Sequence, residues 1–194
     1  VEGVDPANVA LIDTTLDAAG FESYEADGGR IGFNLDKLED VVSFVDSGEL
    51  LFFELDESTR KLHITAGGFG YTLAMIDPDS IRNAEDIPDL DLPVDVYVEE
   101  SDLSDMVSAA GIVFDDSGHV SFVADADNNQ LRLEAEGDTD RAELSVDEVD
   151  LGGSIDANVS SMFSLDYLKD MVKAIPSDES VELVLGEEMP IKMW

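Results

Sequence analysis

Leu35, Leu38, Val41, Val42 and Val45 are apolar, and the positions among them include Asp36, Lys37, Glu39, Asp40 and Ser43. Apolar residues recurring at three- and four-residue intervals predict an amphipathic helix over residues 34–45. Ser47-Gly48 ends it. Leu51, Phe53 and Leu55 then alternate with Phe52, Glu54 and Asp56, the two-residue period of a strand. A turn at 56–59 leads to a strand at 61–65, and Gly67-Gly68 leads to another over 69–76. Upstream, residues 9–16 read as a strand and residues 30–33 as a short one after the turn signal Asp27-Gly28-Gly29.

The pattern returns. Phe33-x-Leu35-Asp36-x-Leu38-x-Asp40-x-Val42 reappears 130 residues later as Phe163-x-Leu165-Asp166-x-Leu168-x-Asp170-x-Val172. Ser47 maps onto Ser177, and Leu51, Phe53 and Leu55 map onto Val181, Leu183 and Leu185. Helix, stop and strand recurring in register without a gap indicate a duplicated unit. Between the copies lies 77–93, with three of the six prolines and five aspartates and no periodicity. Proline removes a backbone donor and restricts its predecessor, so this stretch reads as an extended connector. Beyond it the pattern predicts a strand at 94–98, a helix at 101–110 N-capped by Ser101, and strands at 112–114, 119–124, 130–135, 142–146 and 153–159. The fold class is α+β: two similar domains of antiparallel sheet with helices on one face, 1–76 and 94–194, joined by the connector 77–93.

Composition changes the picture in one respect. The 194 residues carry 46 acidic and 10 basic side chains, formally −36, yet 44% are hydrophobic. A disordered acidic chain would be poor in aliphatic and aromatic residues, whereas here they recur with regular spacing. The charge therefore reads as the surface of a folded protein adapted to high salt, where the Debye length shrinks to about 3 Å at 1 M. The expected location is the cytoplasm of a halophile. With no cysteine, disulfides and thiolate metal sites are excluded. No stretch reaches the ~20 apolar residues of a membrane span.

Candidate chemistry is sparse. His63 and His119 fall on strands near turns, no nucleophile or phosphate-loop motif occurs, and neither a catalytic residue, a cofactor nor a metal site is expected. Asp125-x-Asp127-x-Asn129 with Glu136 partly matches a calcium loop, but Gln130 stands where the sharp turn needs glycine and the flanks read as strands. A polar hairpin turn is the expectation. Three of the five lysines, Lys37, Lys169 and Lys173, lie on the polar faces of the two repeated helices. Such a face is usually only solvated; sparse positive charge there also suits a phosphate backbone.

Val4-Asp5-Pro6-Ala7-Asn8-Val9-Ala10-Leu11-Ile12, Gly20-Phe21-Glu22-Ser23-Tyr24, Ile31-Gly32-Phe33-Asn34-Leu35 and Asp86-Ile87-Pro88-Asp89-Leu90-Asp91-Leu92-Pro93 resemble archaeal sliding clamps. So do Glu134-Ala135-Glu136-Gly137-Asp138, Phe163-Ser164-Leu165-Asp166-Tyr167-Leu168 and Leu185-Gly186-Glu187-Glu188-Met189-Pro190. These belong to the proliferating cell nuclear antigen (PCNA) family, and the acidity points to its haloarchaeal branch. The resemblance runs in order from Val4 to Trp194 and implies that the chain is short at both ends.

It further implies the DNA clamp fold, a homotrimeric ring around duplex DNA without catalytic activity. Its partners would be DNA polymerase, a clamp loader, flap endonuclease and ligase, the enzymes being recruited through short peptide motifs. By position, Lys37, Lys169 and Lys173 would face DNA. Val4, Val9, Leu11, Ile87, Pro88 and Leu90 would wall the partner-peptide pocket. The strand at 69–76 (Phe69, Tyr71, Leu73) would pair with 141–146 (Arg141, Leu144, Val146) of a neighbouring subunit. One departure stands out: the helix at 101–110, which in the family usually carries Lys or Arg toward DNA, here reads Ser-Asp-Leu-Ser-Asp-Met-Val-Ser-Ala-Ala. Two alternatives remain, a clamp-like peptide-binding adaptor that does not encircle DNA, and an acidic calcium-binding or DNA-mimic protein.

Overall fold

The structure, a computed structural model, describes the chain except for residues 6, 8, 82–89, 115–117 and 148–150. It forms two compact units, Val1–Pro88 and Asp89–Trp194. No helix among the described residues is long and apolar enough to cross a membrane.

Unit 1 opens with a short antiparallel pair, β1 (Glu2–Val4) and β2 (Leu11–Asp13). The Asp5 carboxylate ties the loop between them by accepting from the backbone N–H groups of Ala7, Val9 and Ala10 at 2.9, 2.6 and 2.8 Å. The strand expected over 9–16 is thus only three residues long, because this local Asx-type hydrogen bonding competes with extension of the ladder. Residues 30–33 contribute an isolated bridge, Gly32 with Ile76, instead of a strand.

Helix α1 (Leu35–Phe44) is capped by Asn34, whose side chain accepts from Lys37 N at 2.9 Å. Strands β3 (Phe52–Asp56), β4 (Lys61–Ala66) and β5 (Phe69–Ala74) follow as a three-stranded meander. Its small core gathers Val41, Leu62, Ile64 and Leu73. Of the connector, 78–80 form a single 3-10 turn, and 82–89 lie outside the described residues.

Unit 2 is built from two four-stranded sheets. One has the order β10 (Gly152–Ile155), β6 (Val94–Glu99), β12 (Ser180–Leu185), β13 (Lys192–Met193). The other runs β11 (Val159–Ser164), β7 (His119–Asp125), β8 (Gln130–Glu136), β9 (Arg141–Val146). Helices α2 (Glu100–Val113) and α3 (Leu165–Lys173) pack on each other, and α2 also packs on β6, β8 and β9. The reason is periodicity: Leu103, Met106, Val107 and Ala110 of α2 and Leu165, Leu168 and Val172 of α3 bury one stripe each. They meet the inward faces of β6 and β12, where Val94, Val96 and Val98 stand opposite Leu185, Leu183 and Val181.

Three expectations are corrected here. The N-cap of α2 is Glu99, without a side-chain cap bond, and Ser101 lies in the first turn. Residues 112–113 extend α2 and form no strand, because the helix keeps Val113 against the core while Ile112 points to solvent. The stretch 153–159 is two strands in different sheets; the chain crosses between them at 156–158, where Asn158 Oδ1 accepts from Ala126 N at 2.8 Å.

Candidate nucleic-acid interface and partner surfaces

Where α2 and α3 lie side by side, a groove of about 300 Å³ opens between them, lined by Glu100, Ser104 and Ser108 of α2 and Lys169 and Lys173 of α3. Two further lining residues, Val107 and Val172, form its apolar floor. Lys169 reaches across the groove, because Gly111 of α2 has no side chain. A Cβ built there would lie 3.7 Å from Lys169 Cε and 3.9 Å from Nζ. The helix without a base thus receives one from its neighbour. Sequence reasoning placed the two lysines and missed the serines. The available signal was spacing: Ser104 and Ser108 stand four apart, as do Lys169 and Lys173, so each pair occupies one side of its helix.

Electrostatics distinguish these lysines from the arginines. Every described arginine is ion-paired: Arg30 with Glu2 at 3.4 Å, Arg60 with Asp77 at 3.2 Å, Arg132 with Glu134 at 2.6 Å, and Arg141 with Glu143 at 3.1 Å. Among the described residues no carboxylate pairs with Lys37, Lys169 or Lys173 within 4.0 Å, although the chain has 46 acidic residues. Lys169 and Lys173, at i and i+4, also repel each other along α3. Away from Glu100, hydroxyls that can donate and ammonium groups with no carboxylate partner among the described residues suit the groove to an anionic oxygen. Lys37 is exposed on α1 in unit 1.

The strands assigned to subunit contact are both terminal. β5 ends the order β3-β4-β5, and β9 ends β11-β7-β8-β9, so each has one edge with no partner strand among the described residues. The side chains named on these strands are placed as follows. Phe69, Tyr71 and Leu73 stand opposite Ala66, Ile64 and Leu62 on the inward face of their sheet, and Leu73 is buried in the core. Val146 is likewise a core residue of unit 2. What the edges offer a neighbour is backbone, together with the half-exposed Leu144 and the exposed Arg141.

Of the residues assigned to the partner pocket, Val4 and Leu11 are cross-strand partners in β1 and β2 of unit 1 and half-buried; Val9 is exposed in the loop between them. Leu90 belongs to unit 2, where its carbonyl accepts from Lys192 Nζ at 3.4 Å. Ile87 and Pro88 lie outside the described residues.

The residues of the partial calcium-loop match are engaged locally or lie apart. Asp125 closes the β7–β8 turn, accepting from the N–H groups of Asp127 and Asn128 at 3.0 and 3.1 Å and from Asn128 Nδ2 at 2.9 Å. These bonds, the Asn128 side chain first, hold its carboxyl below the usual range. Glu136 sits at the far end of β8, opposite Arg141, about 20 Å away at strand rise. Among the described residues no cluster of carboxylates and histidines could hold a metal. A depression of about 360 Å³ beside this turn is lined by Asp125, Arg132, Asn158 and Glu187, whose polar atoms are taken up by the turn, by ion pairs and by backbone N–H groups.

No protein-family model matches the chain. It is 52% identical over its whole length to the DNA polymerase sliding clamp of Natronomonas pharaonis, of which it covers 77%, and 51% identical to that of Haloarcula marismortui, with the same coverage. Among solved structures, A. fulgidus PCNA bound to the C-terminal region of FEN-1 superposes with a TM-score of 0.82 at 29% identity, over 99% of this chain and 76% of that one. The PCNA of Thermococcus kodakaraensis shares the fold, with a TM-score of 0.78 at 22% identity over 99% of this chain and 78% of its own.

Proposed function

The chain belongs to the DNA polymerase sliding clamp family, and from that membership we propose a non-catalytic processivity platform that closes as a ring of three subunits around duplex DNA. The ring tethers DNA polymerase, flap endonuclease and ligase to their template and is opened and closed by a clamp loader. It works beside the chromosome in the cytoplasm of a high-salt cell. The observation that carries the reading is the set of helix lysines that have no carboxylate partner among the described residues, in a chain of net charge −36. Lys37, Lys169 and Lys173 face the DNA, and Ser104 and Ser108 donate to phosphate oxygens held by Lys169 and Lys173. Such contacts position without reading sequence, as a sliding protein requires.

Subunits join through the free edges of β5 and β9, which pair as continuous sheet and leave neither edge exposed. Val4, Val9, Leu11, Ile87, Pro88 and Leu90 are the residues that family position assigns as apolar anchors for partner peptides. Replacing Ile87 and Leu90 by serine is expected to abolish recruitment of peptide-bearing enzymes and to leave assembly intact. The decisive experiment measures association state and polymerase stimulation on closed circular primed DNA in molar KCl. A trimer that stimulates synthesis supports the proposal; a strict monomer without stimulation overturns it. Unchanged stimulation after reversing Lys37, Lys169 and Lys173 to Glu would favour an adaptor that does not encircle DNA.

A further inference from the structure

Along β11, Val159 and Phe163 turn inward and Ser160 and Met162 outward, and the inward position between them holds a hydroxyl. Ser161, 3% exposed, is the one buried polar side chain among the described residues. A hydroxyl in such a place needs its hydrogen-bond partners supplied. Both come from the turn that follows β12. Ser161 Oγ donates to the Gly186 carbonyl at 2.6 Å and accepts from Met189 N at 3.0 Å. On the exposed side of the same turn, Ser160 N donates to the Glu187 carboxylate at 2.6 Å and Glu188 N to the Ser160 carbonyl at 3.1 Å. Glu188 stands in the left-handed region at φ +51°, a conformation that persists in an L residue only where its surroundings fix it. An edge strand of one sheet thus pins the end of a central strand of the other.

The pinned turn carries the end of the connector. A Cβ built on Gly186 would lie 2.7 Å from Leu92 Cδ2, so the Leu92 side chain rests on the bare backbone of the turn. On one side of Leu92, Val94 pairs with Leu185 at the end of β12. On the other, the Leu90 carbonyl accepts from Lys192 Nζ at 3.4 Å, just beyond the turn. Pro93 between Leu92 and Val94 has no N–H to donate, so this end of the connector has less backbone with which to hold itself. We propose that Ser161 is a positioning residue for the C-terminal end of the connector: its hydroxyl fixes the turn at 186–189, and the turn seats Leu92 and keeps Leu90 in place. Leu90 is one of the residues that family position assigns as anchors for partner peptides. The inference therefore rests on that reading of the connector, and it names a residue outside the connector on which peptide affinity depends. Ser161 acts through the turn and touches no peptide itself.

The test is nuclear magnetic resonance of the chain in molar KCl, followed by titration with a peptide of the C-terminal region of FEN-1, the segment bound to A. fulgidus PCNA. Ser161→Ala should move the Leu92 δ-methyl resonances toward random-coil positions and speed exchange of the Met189 amide about tenfold, as one buried hydrogen bond is lost. Amide protection of Val96 and Leu183 in β6 and β12 should stay, and peptide affinity should fall about fivefold. Ser161→Thr keeps the hydroxyl on a residue that suits a strand, and should restore the Leu92 resonances and the affinity. Gly186→Ala leaves the hydroxyl in place and displaces chiefly Leu92, so it should weaken the peptide without speeding Met189 exchange. Leu92 methyls that ignore Ser161→Ala overturn the proposal, as does a folded Thr variant that fails to restore them. Loss of Val96 and Leu183 protection in Ser161→Ala also overturns it, making the hydroxyl a support for the whole unit. A wild-type chain that binds no peptide counts against the docking reading alone, and the Leu92 resonances still decide the role of Ser161.

Discussion

A cation in the first turn of a helix opposes the macrodipole, and Lys37 stands at the third position of α1, its own N–H held by the Asn34 cap. A role in stability would favour an acid there, as at Asp36. Lys37→Gln, which removes the unfavourable cation without adding to the acidic surface, is therefore expected to leave the unfolding midpoint of unit 1 unchanged or slightly raised while weakening retention on DNA; thermal unfolding and salt-dependent DNA binding read the two effects separately. A mutant that binds DNA unchanged would remove Lys37 from the interface. At the β3–β4 turn, hydrogen bonds from Ser58, Thr59 and their backbone N–H groups lower the Asp56 carboxyl to about 2. A depressed folded-state value means a stabilising contribution fully present above the ordinary 3.8 and lost as pH falls toward 2. Carbon-detected NMR should find Asp56 titrating near 2, and Ser58→Ala should move it upward. Gly153 serves a different purpose. Its φ is +81°, and a Cβ there would lie 2.3 Å from the Asp95 carbonyl oxygen. Gly153→Ala should detach β10 from β6 and destabilise unit 2 by more than the ~1 kcal/mol of a simple glycine effect, read as a lowered unfolding midpoint.

At the level of elements, the repeat was legible because burial enforces it. Leu165, Leu168 and Val172 had to face a core, and the spacing that places them there located α1, α3, β3 and β12 at once. Elements whose limits depend on local competition were not legible. The Asp5 side chain shortens β2, and Ser101, a good cap by residue type, is passed over in favour of Glu99. Ile112 and Val113 are β-branched and read as strand, but α2 continues through them because Val113 still finds the core. The candidate interface was half legible: lysines on a polar face announce themselves by rarity, whereas Ser104 and Ser108 gain meaning only when α3 brings Lys169 and Lys173 across from them. That juxtaposition can be strengthened. Ser104→Lys with Ser108→Lys should steepen the dependence of log K on log salt by about 0.9 per added phosphate contact on duplex DNA. An unchanged slope would place the backbone elsewhere.

For the whole molecule, charge and core size act together. On the outer face of β6 and β12 the charge of Glu182 first, then desolvation and the charge of Asp95, raise the Tyr97 hydroxyl above its ordinary value. Repulsion of this kind is long-ranged when the Debye length is about 10 Å, at 0.1 M, and nearly extinguished at about 3 Å, at 1 M. The two units do not meet it with equal reserves. Unit 2 buries a core that spans two sheets and two helices; among the described residues unit 1 buries only a small cluster around Val41, Leu62, Ile64 and Leu73. Burial scales at about 25 cal/mol per Å², so the smaller core has less with which to oppose self-repulsion. Unfolding should consequently occur in two stages, unit 1 first, with its midpoint rising more steeply with KCl than that of unit 2. Site-resolved hydrogen exchange or tyrosine and tryptophan fluorescence can separate them, since Trp194 lies in unit 2. Screening requires NaCl and KCl of equal ionic strength to act alike, and requires the Tyr97 value to fall in step. A single transition whose midpoint is indifferent to salt would mean that the acidic surface is neutralised by something other than mobile ions.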